Sequence, residues 1–170
     1  LGTGVDMPNA DVRLTDGELL ATPETHRVRA FHVEASEGSP KTTIFVTDFT
    51  TYTNYHASDD VAITGGNLYI DLRQYEADFE ATRTGNVMPN VIVADGTFAA
   101  GSAFATYSDS SVLFNFTPVY DTDGTAMPQF GTHAMHLVVS AEHTNTCGAP
   151  GMGAVECIVR QNDHANAAPM

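Results

Sequence analysis

TTIFVTDFTTYTNY, residues 42–55, decides how the chain is read. Threonine, aromatic and β-branched residues fill it, and these favour the pleated, half-buried surface of a strand. Side chains alternate faces along a strand. Phe45, Phe49, Thr51, Thr53 and Tyr55 then share one face, with Ile44, Val46, Asp48 and Tyr52 on the other. Both faces are apolar in the first half, so this strand is expected to be covered on both sides. SVLFNFTPVY (111–120) repeats the pattern, with Val112, Phe114 and Phe116 opposing Leu113 and Val119.

Working outward, comparable short runs lie at 11–20, 26–35, 67–75, 91–99, 103–108, 111–121, 133–142 and 154–161. Gly65-Gly66, Asp95-Gly96 and Asp123-Gly124 punctuate them with the residues that tight turns need. Only EADFEATR (76–83) offers a helical turn or two, as a short crossover around Phe79. The sequence predicts an all-β, two-sheet antiparallel sandwich, jelly-roll or Greek-key, with extended terminal arms. Residues 1–20 read as an N-terminal arm able to form a strand, 21–161 as the sandwich and 162–170 as a C-terminal tail.

Charge narrows the function. The 170 residues carry a formal net charge of −14, with Lys41 and six scattered arginines as the only fixed cations. Nucleic acid needs clustered Lys and Arg to neutralise phosphates, so it is excluded as a partner. Membrane insertion is not expected either, because no run approaches the ~20 apolar residues of a spanning helix.

Cys147 and Cys157 bracket a loop containing Gly148, Pro150, Gly151 and Gly153 that can bring the sulfurs together. A disulfide is expected, and with it an extracellular or otherwise extracytoplasmic location, secreted or on a virion surface.

Histidines supply the candidate metal ligands: His26, His32, His133, Met135, His136 and His143, a set that would suit copper better than zinc. On a strand, His133 and His136 point to opposite faces, so convergence would require several strands. Asp121 and Asp123 resemble the opening of a calcium loop, but Thr132 stands where the closing acid belongs. Asn115-Phe116-Thr117 is a formal glycosylation sequon. No nucleophile elbow, phosphate loop or placed acid pair is present, so no enzyme is expected.

The two-faced strands point to a homo-oligomer. The expected function is a structural, self-assembling subunit of an extracellular or virion assembly (coat, capsid-associated or filament protein) working through sandwich packing and arm exchange. Val12, Leu14, Phe45, Phe49, Phe114 and Phe116 are its candidate contacts. A secreted carbohydrate-binding module is the alternative, using Tyr52, Tyr55, Tyr69 and Tyr75, although tryptophan is absent. A secreted His/Met metal-binding protein is the third reading.

Overall fold

A computed structural model describes residues 6–36, 38–72 and 74–141. The alternating runs become β1 (Asp6–Leu14), β2 (Glu18–Leu19), β3 (Thr25–Glu34), β4 (Lys41–Asp48), β5 (Thr51–Tyr52), β6 (Asn54–Ala57), β7 (Asp60–Thr64) and β8 (Asn67–Asp71). After the helix α1 (Glu76–Thr82) come β9 (Val87–Ala94), β10 (Thr97–Phe98), β11 (Thr106–Asp109), β12 (Phe114–Asp121) and β13 (Ala134–Ala141). The all-β class stands, with α1 as the expected short helix.

The pairing is different from the antiparallel sandwich. β3 pairs parallel with β1, β6 and β7; β6 then pairs parallel with β9, and β7 with β10. In the second sheet, β2, β4, β8 and β11 are parallel in that order. The chain thus winds between two sheets, each coil laying one strand or two successive strands on the first sheet before crossing to the second. Antiparallel pairing among the described residues is confined to β4–β5, β9–β13 and β12–β13, the last two closing the final coil. Residues 6–14 and 18–19, within the expected arm, are strands of the first coil.

Local chemistry explains why a coil reads like a hairpin. Gly65 and Gly66 join β7 in one sheet to β8 in the other, so they make a corner. Gly66 has φ +81, and a Cβ there would meet the Pro40 carbonyl oxygen at 2.9 Å. Asp95-Gly96 separates β9 from β10, which continue in the same sheet. At Gly96 the neighbouring coil comes so close that a Cβ would lie 2.3 Å from the Asp59 carbonyl oxygen. Residues 42–55 similarly break into β4, β5 and β6.

Parallel register stacks like positions into columns. Val12, Phe31, Val61 and Phe98 follow one another through four coils, as do His26, Tyr55 and Ile92 on β3, β6 and β9, with Met135 of the antiparallel β13 opposite Ile92. The opposite sheet contributes Ile44, Val46, Leu68 and Ile70 to the same core. Burying one such side chain fully stabilises the fold by about 1.5–3 kcal/mol before entropic costs. Helix α1 adds a second layer: its Phe79 ring contacts Phe49, Phe114 and Phe116 at centroid distances of 5.7, 5.1 and 5.5 Å. Among the described residues no helix is long and apolar enough to cross a membrane.

Candidate functional site

Alternation on the second sheet sends Thr42, Ile44, Val46, Leu68 and Ile70 inward. It leaves Lys41, Thr43 and Phe45 of β4 and Asn67, Tyr69 and Asp71 of β8 on the outer face. There the Lys41 ammonium sits 2.9 Å from Glu18 Oε1 and 4.6 Å from the centre of the Tyr69 ring. Thr43 also donates to Glu18 Oε1, at 2.8 Å. The Lys41 and Thr43 hydrogen bonds hold the Glu18 carboxyl below its ordinary pKa.

Where β4 and β8 end, this face opens into a cleft of about 360 Å³. Pro23, Phe45, Val46, Thr47, Asp71, Gln74 and Tyr75 line it. Phe45 and Asp71 are register partners on adjacent coils. Tyr75 precedes α1, where its amide donates to the Leu72 carbonyl, and the residue is 39% exposed. A second cleft, of about 560 Å³, lies between β11 and β12. It is lined mainly by polar groups of Asp109, Ser111, Asn115, Thr117 and Ser140, with Tyr107, 50% exposed, at its edge.

These two tyrosines, with Met7 and Leu20, are the large apolar side chains left exposed among the described residues. Met7 and Leu20 belong to the first coil instead. Isolated exposed apolar residues are ordinary, whereas aromatic rings at the lips of polar clefts suit ligand recognition. Both clefts offer hydrogen-bonding groups beside an aromatic residue, and among the described residues that line them none is cationic.

Other sequence candidates are distributed through the fold. His26 is buried, its Nε2 donating to the Thr22 carbonyl at 2.9 Å, with its ring against Tyr55. His32 lies on the outer face of the first sheet, paired with Asp60 at 2.6 Å. His133, with φ 59, precedes β13, and Met135 enters the core. His136 is buried beside Phe130 and accepts the Asn90 amide on Nδ1 at 3.0 Å. Burial lowers its pKa, against the opposing charge of Asp121. Among the described residues no three His, Cys, Asp or Glu side chains converge as a metal site.

The suggested calcium acids organise their own loop. Asp121 accepts amides from Gly124, Ala126 and Met127, and Asp123 accepts from Thr125. Burial works to raise the Asp121 pKa, but those amides outweigh it and hold the carboxyl low. Cys147, Cys157 and His143 lie outside the described residues. Asn115 is exposed on β12.

The proposed assembly contacts divide. Phe49, Phe114 and Phe116 are 8%, 4% and 1% exposed, covered by this chain's own α1. Their two-faced strands therefore have an intramolecular cause. Val12, Leu14 and Phe45 remain partly exposed. The four tyrosines divide as well. Tyr55 is buried, with burial driving its hydroxyl pKa upward, and Tyr52 donates to the Pro89 carbonyl, burial pushing its pKa up to about 12. Tyr69 and Tyr75 face outward. Sequence reasoning did not single out Tyr107, Thr47, Asp71 or Gln74, because isolated polar residues at strand ends carry no spacing signal.

A row of ion pairs and histidine–carboxylate contacts on the first sheet joins successive coils. Asp11 and Arg29 meet at 2.5 Å, Arg13 and Glu34 at 2.9 Å, and His56 and Asp95 at 2.7 Å, in addition to His32–Asp60. Hydrogen bonds from Arg29 and Arg13 lower the pKa values of Asp11 and Glu34 respectively. The polar groups of this row already have partners within the chain, which separates this face from the aromatic clefts. No family model, curated protein or solved structure matches the chain, so the chemistry of the site rests on these residues alone.

Proposed function

We propose that the chain is a non-catalytic module that binds neutral carbohydrate outside the cytoplasm. The observation carrying this reading is that the exposed Tyr75 lines one cleft together with Phe45, Thr47, Asp71 and Gln74. A pyranose presents C–H groups on its ring faces and hydroxyls around its rim. An aromatic plane can cover the first, while carboxylate, amide and hydroxyl groups replace the water lost by the second. The net charge of −14 and the acidic rim disfavour uronate or sulfated sugars.

The experiment is a glycan array probed with labelled protein. Signal on neutral glycans and none on acidic ones is expected. An array blank throughout, or signal confined to acidic glycans, would overturn the reading.

A structural assembly subunit is the second reading, favoured by the first coil. Among the described residues no strand covers the outer edge of β1, where Met7 is exposed and Val12 and Leu14 are partly buried, and Leu20 is exposed just after β2 of the same coil. An uncovered edge is a template for another chain. Pro8 and the Asp11 and Arg13 ion pairs blunt it, which places this reading second. Light scattering tests it. A homo-oligomer that Met7→Lys/Leu20→Lys converts to monomer would support it, and a wild-type monomer would remove it.

A further inference from the structure

We propose that Lys41 and Glu18, on the same outer face as the Tyr75 cleft, form a second subsite for one ligand. That ligand is a neutral oligosaccharide lying along β4 and β8, with two adjacent hydroxyls of its far residue on the pair. This rests on the carbohydrate reading and adds the length, orientation and far-end chemistry of the ligand.

The strands set the direction. Side chains two residues apart share a face and lie about 6.6 Å from each other along a parallel strand. From the cleft toward the start of β4, the outward register pairs are Phe45 with Asp71, Thr43 with Tyr69, and Lys41 with Asn67. The last pair lies about 13 Å from the first. Glu18 of β2 is the register partner of Lys41 on its other side, so it stands on this face too. One sugar in the cleft, one over the Thr43–Tyr69 step and one at Lys41 make about three units.

The far end is a donor and an acceptor side by side. Lys41 is the chain's one lysine, and an ammonium carries three N–H donors. Glu18 Oε1 takes one at 2.9 Å, and the centre of the Tyr69 ring lies 4.6 Å away. Among the described residues Lys41 has no further partner, which leaves a donor for a ligand. The contacts that Glu18 receives from Lys41 and Thr43 both fall on Oε1, which leaves Oε2 as an acceptor. Both side chains are 39% exposed, so solvent and ligand can reach them.

Adjacent hydroxyls on a sugar ring, one accepting and one donating, match such a pair. The two charges offset each other, so the subsite favours neither an anionic nor a cationic sugar. Tyr69 and Thr43 act as positioning residues. They hold Lys41 and Glu18 before the ligand arrives, which lowers the ordering cost of binding.

Isothermal titration of cello-, manno- and chito-oligosaccharides of increasing length, from one unit to beyond that span, tests the proposal on wild type, Lys41→Met, Glu18→Ala and Tyr75→Ala. Lys41→Met keeps an aliphatic stem beside Tyr69, and all three positions are substantially exposed, so the variants are expected to fold, as circular dichroism would confirm. Wild-type affinity should rise with length to about three units in at least one series and then level. Lys41→Met and Glu18→Ala should each lose that rise, weakening the longer ligands by about tenfold relative to the shortest that binds. Tyr75→Ala should weaken every length. A merely structural role for the pair would lower affinity at all lengths alike. If affinity is independent of length, or if the two subsite variants keep the wild-type ratio of long to short ligands, the second subsite is overturned while the Tyr75 site stands. If wild type binds none of the three series, the subsite and the carbohydrate reading fall together.

Discussion

Two sets of aromatic residues lie close together and do opposite things. Phe49, Phe79, Phe114 and Phe116 form a dry cluster under α1, each less than a tenth exposed. Phe45, Tyr75 and Tyr107 sit nearby at the clefts, with the two tyrosines open to solvent among carboxylate, amide and hydroxyl groups. The first set closes the fold upon itself. The second leaves an aromatic surface that folding does not cover. An apolar strand face therefore says little about partners until the chain's own helices have been placed.

The largest test of this contrast is Phe79→Ala. Removing a fully buried aromatic should cost about 3–5 kcal/mol, read by denaturant unfolding. A loss below about 1 kcal/mol would mean that α1 is not the cover that makes the cluster dry.

Gly96→Ala comes next, because the added methyl would press on the Asp59 carbonyl of the adjacent coil. Overpacking of this kind typically costs about 1–3 kcal/mol, and the same measurement reads it. An unchanged midpoint would contradict the close stacking of coils there.

Acid should destabilise the fold in two stages. His136 has a folded pKa below its ordinary value, so its contribution is present above about pH 6.5 and is lost as pH falls below that. Asp11, Glu18 and Glu34 are also lowered, so theirs is present above the ordinary carboxyl range and lost as pH falls through their folded values. Thermal melts from pH 8 to pH 3 should show both. His136→Gln keeps an acceptor for the Asn90 amide and should remove the first stage alone. Comparing the variant with wild type at each pH cancels the general relief of self-repulsion on acidification.

The smallest expected effect on stability is that of Tyr75→Ala, within about 0.5 kcal/mol of wild type, as for other surface substitutions. A loss as large as that of Phe79→Ala would place Tyr75 with the structural set.

The all-β class was legible because β-branched and aromatic runs such as 42–48 and 114–121 carry their own strand preference. Phe79 within an otherwise polar EADFEAT likewise marked α1. The parallel winding was not legible. Alternation specifies a strand but not its neighbour, and the same turn residues serve a corner between sheets at Gly65-Gly66 and a break within one sheet at Asp95-Gly96 as well as they would a hairpin. Partners such as Phe31, Val61 and Phe98 are separated by whole coils, and nothing local marks their register. Of the candidate site, Tyr69 and Tyr75 were visible as tyrosines that could stack on sugar. Asp71, Gln74 and Thr47 acquire meaning only when the coil brings Pro23, Phe45 and Tyr75 around them.

The most direct measurement of the central claim is affinity electrophoresis of wild type and Tyr75→Ala through gels containing soluble neutral glucan, mannan or glycol chitin, with alginate as the acidic control. Wild type should be retarded by at least one neutral polymer, Tyr75→Ala should migrate as it does in a plain gel, and alginate should retard neither. Wild type running unretarded through every neutral gel, or retarded equally with and without the Tyr75 ring, would contradict a carbohydrate site at this cleft.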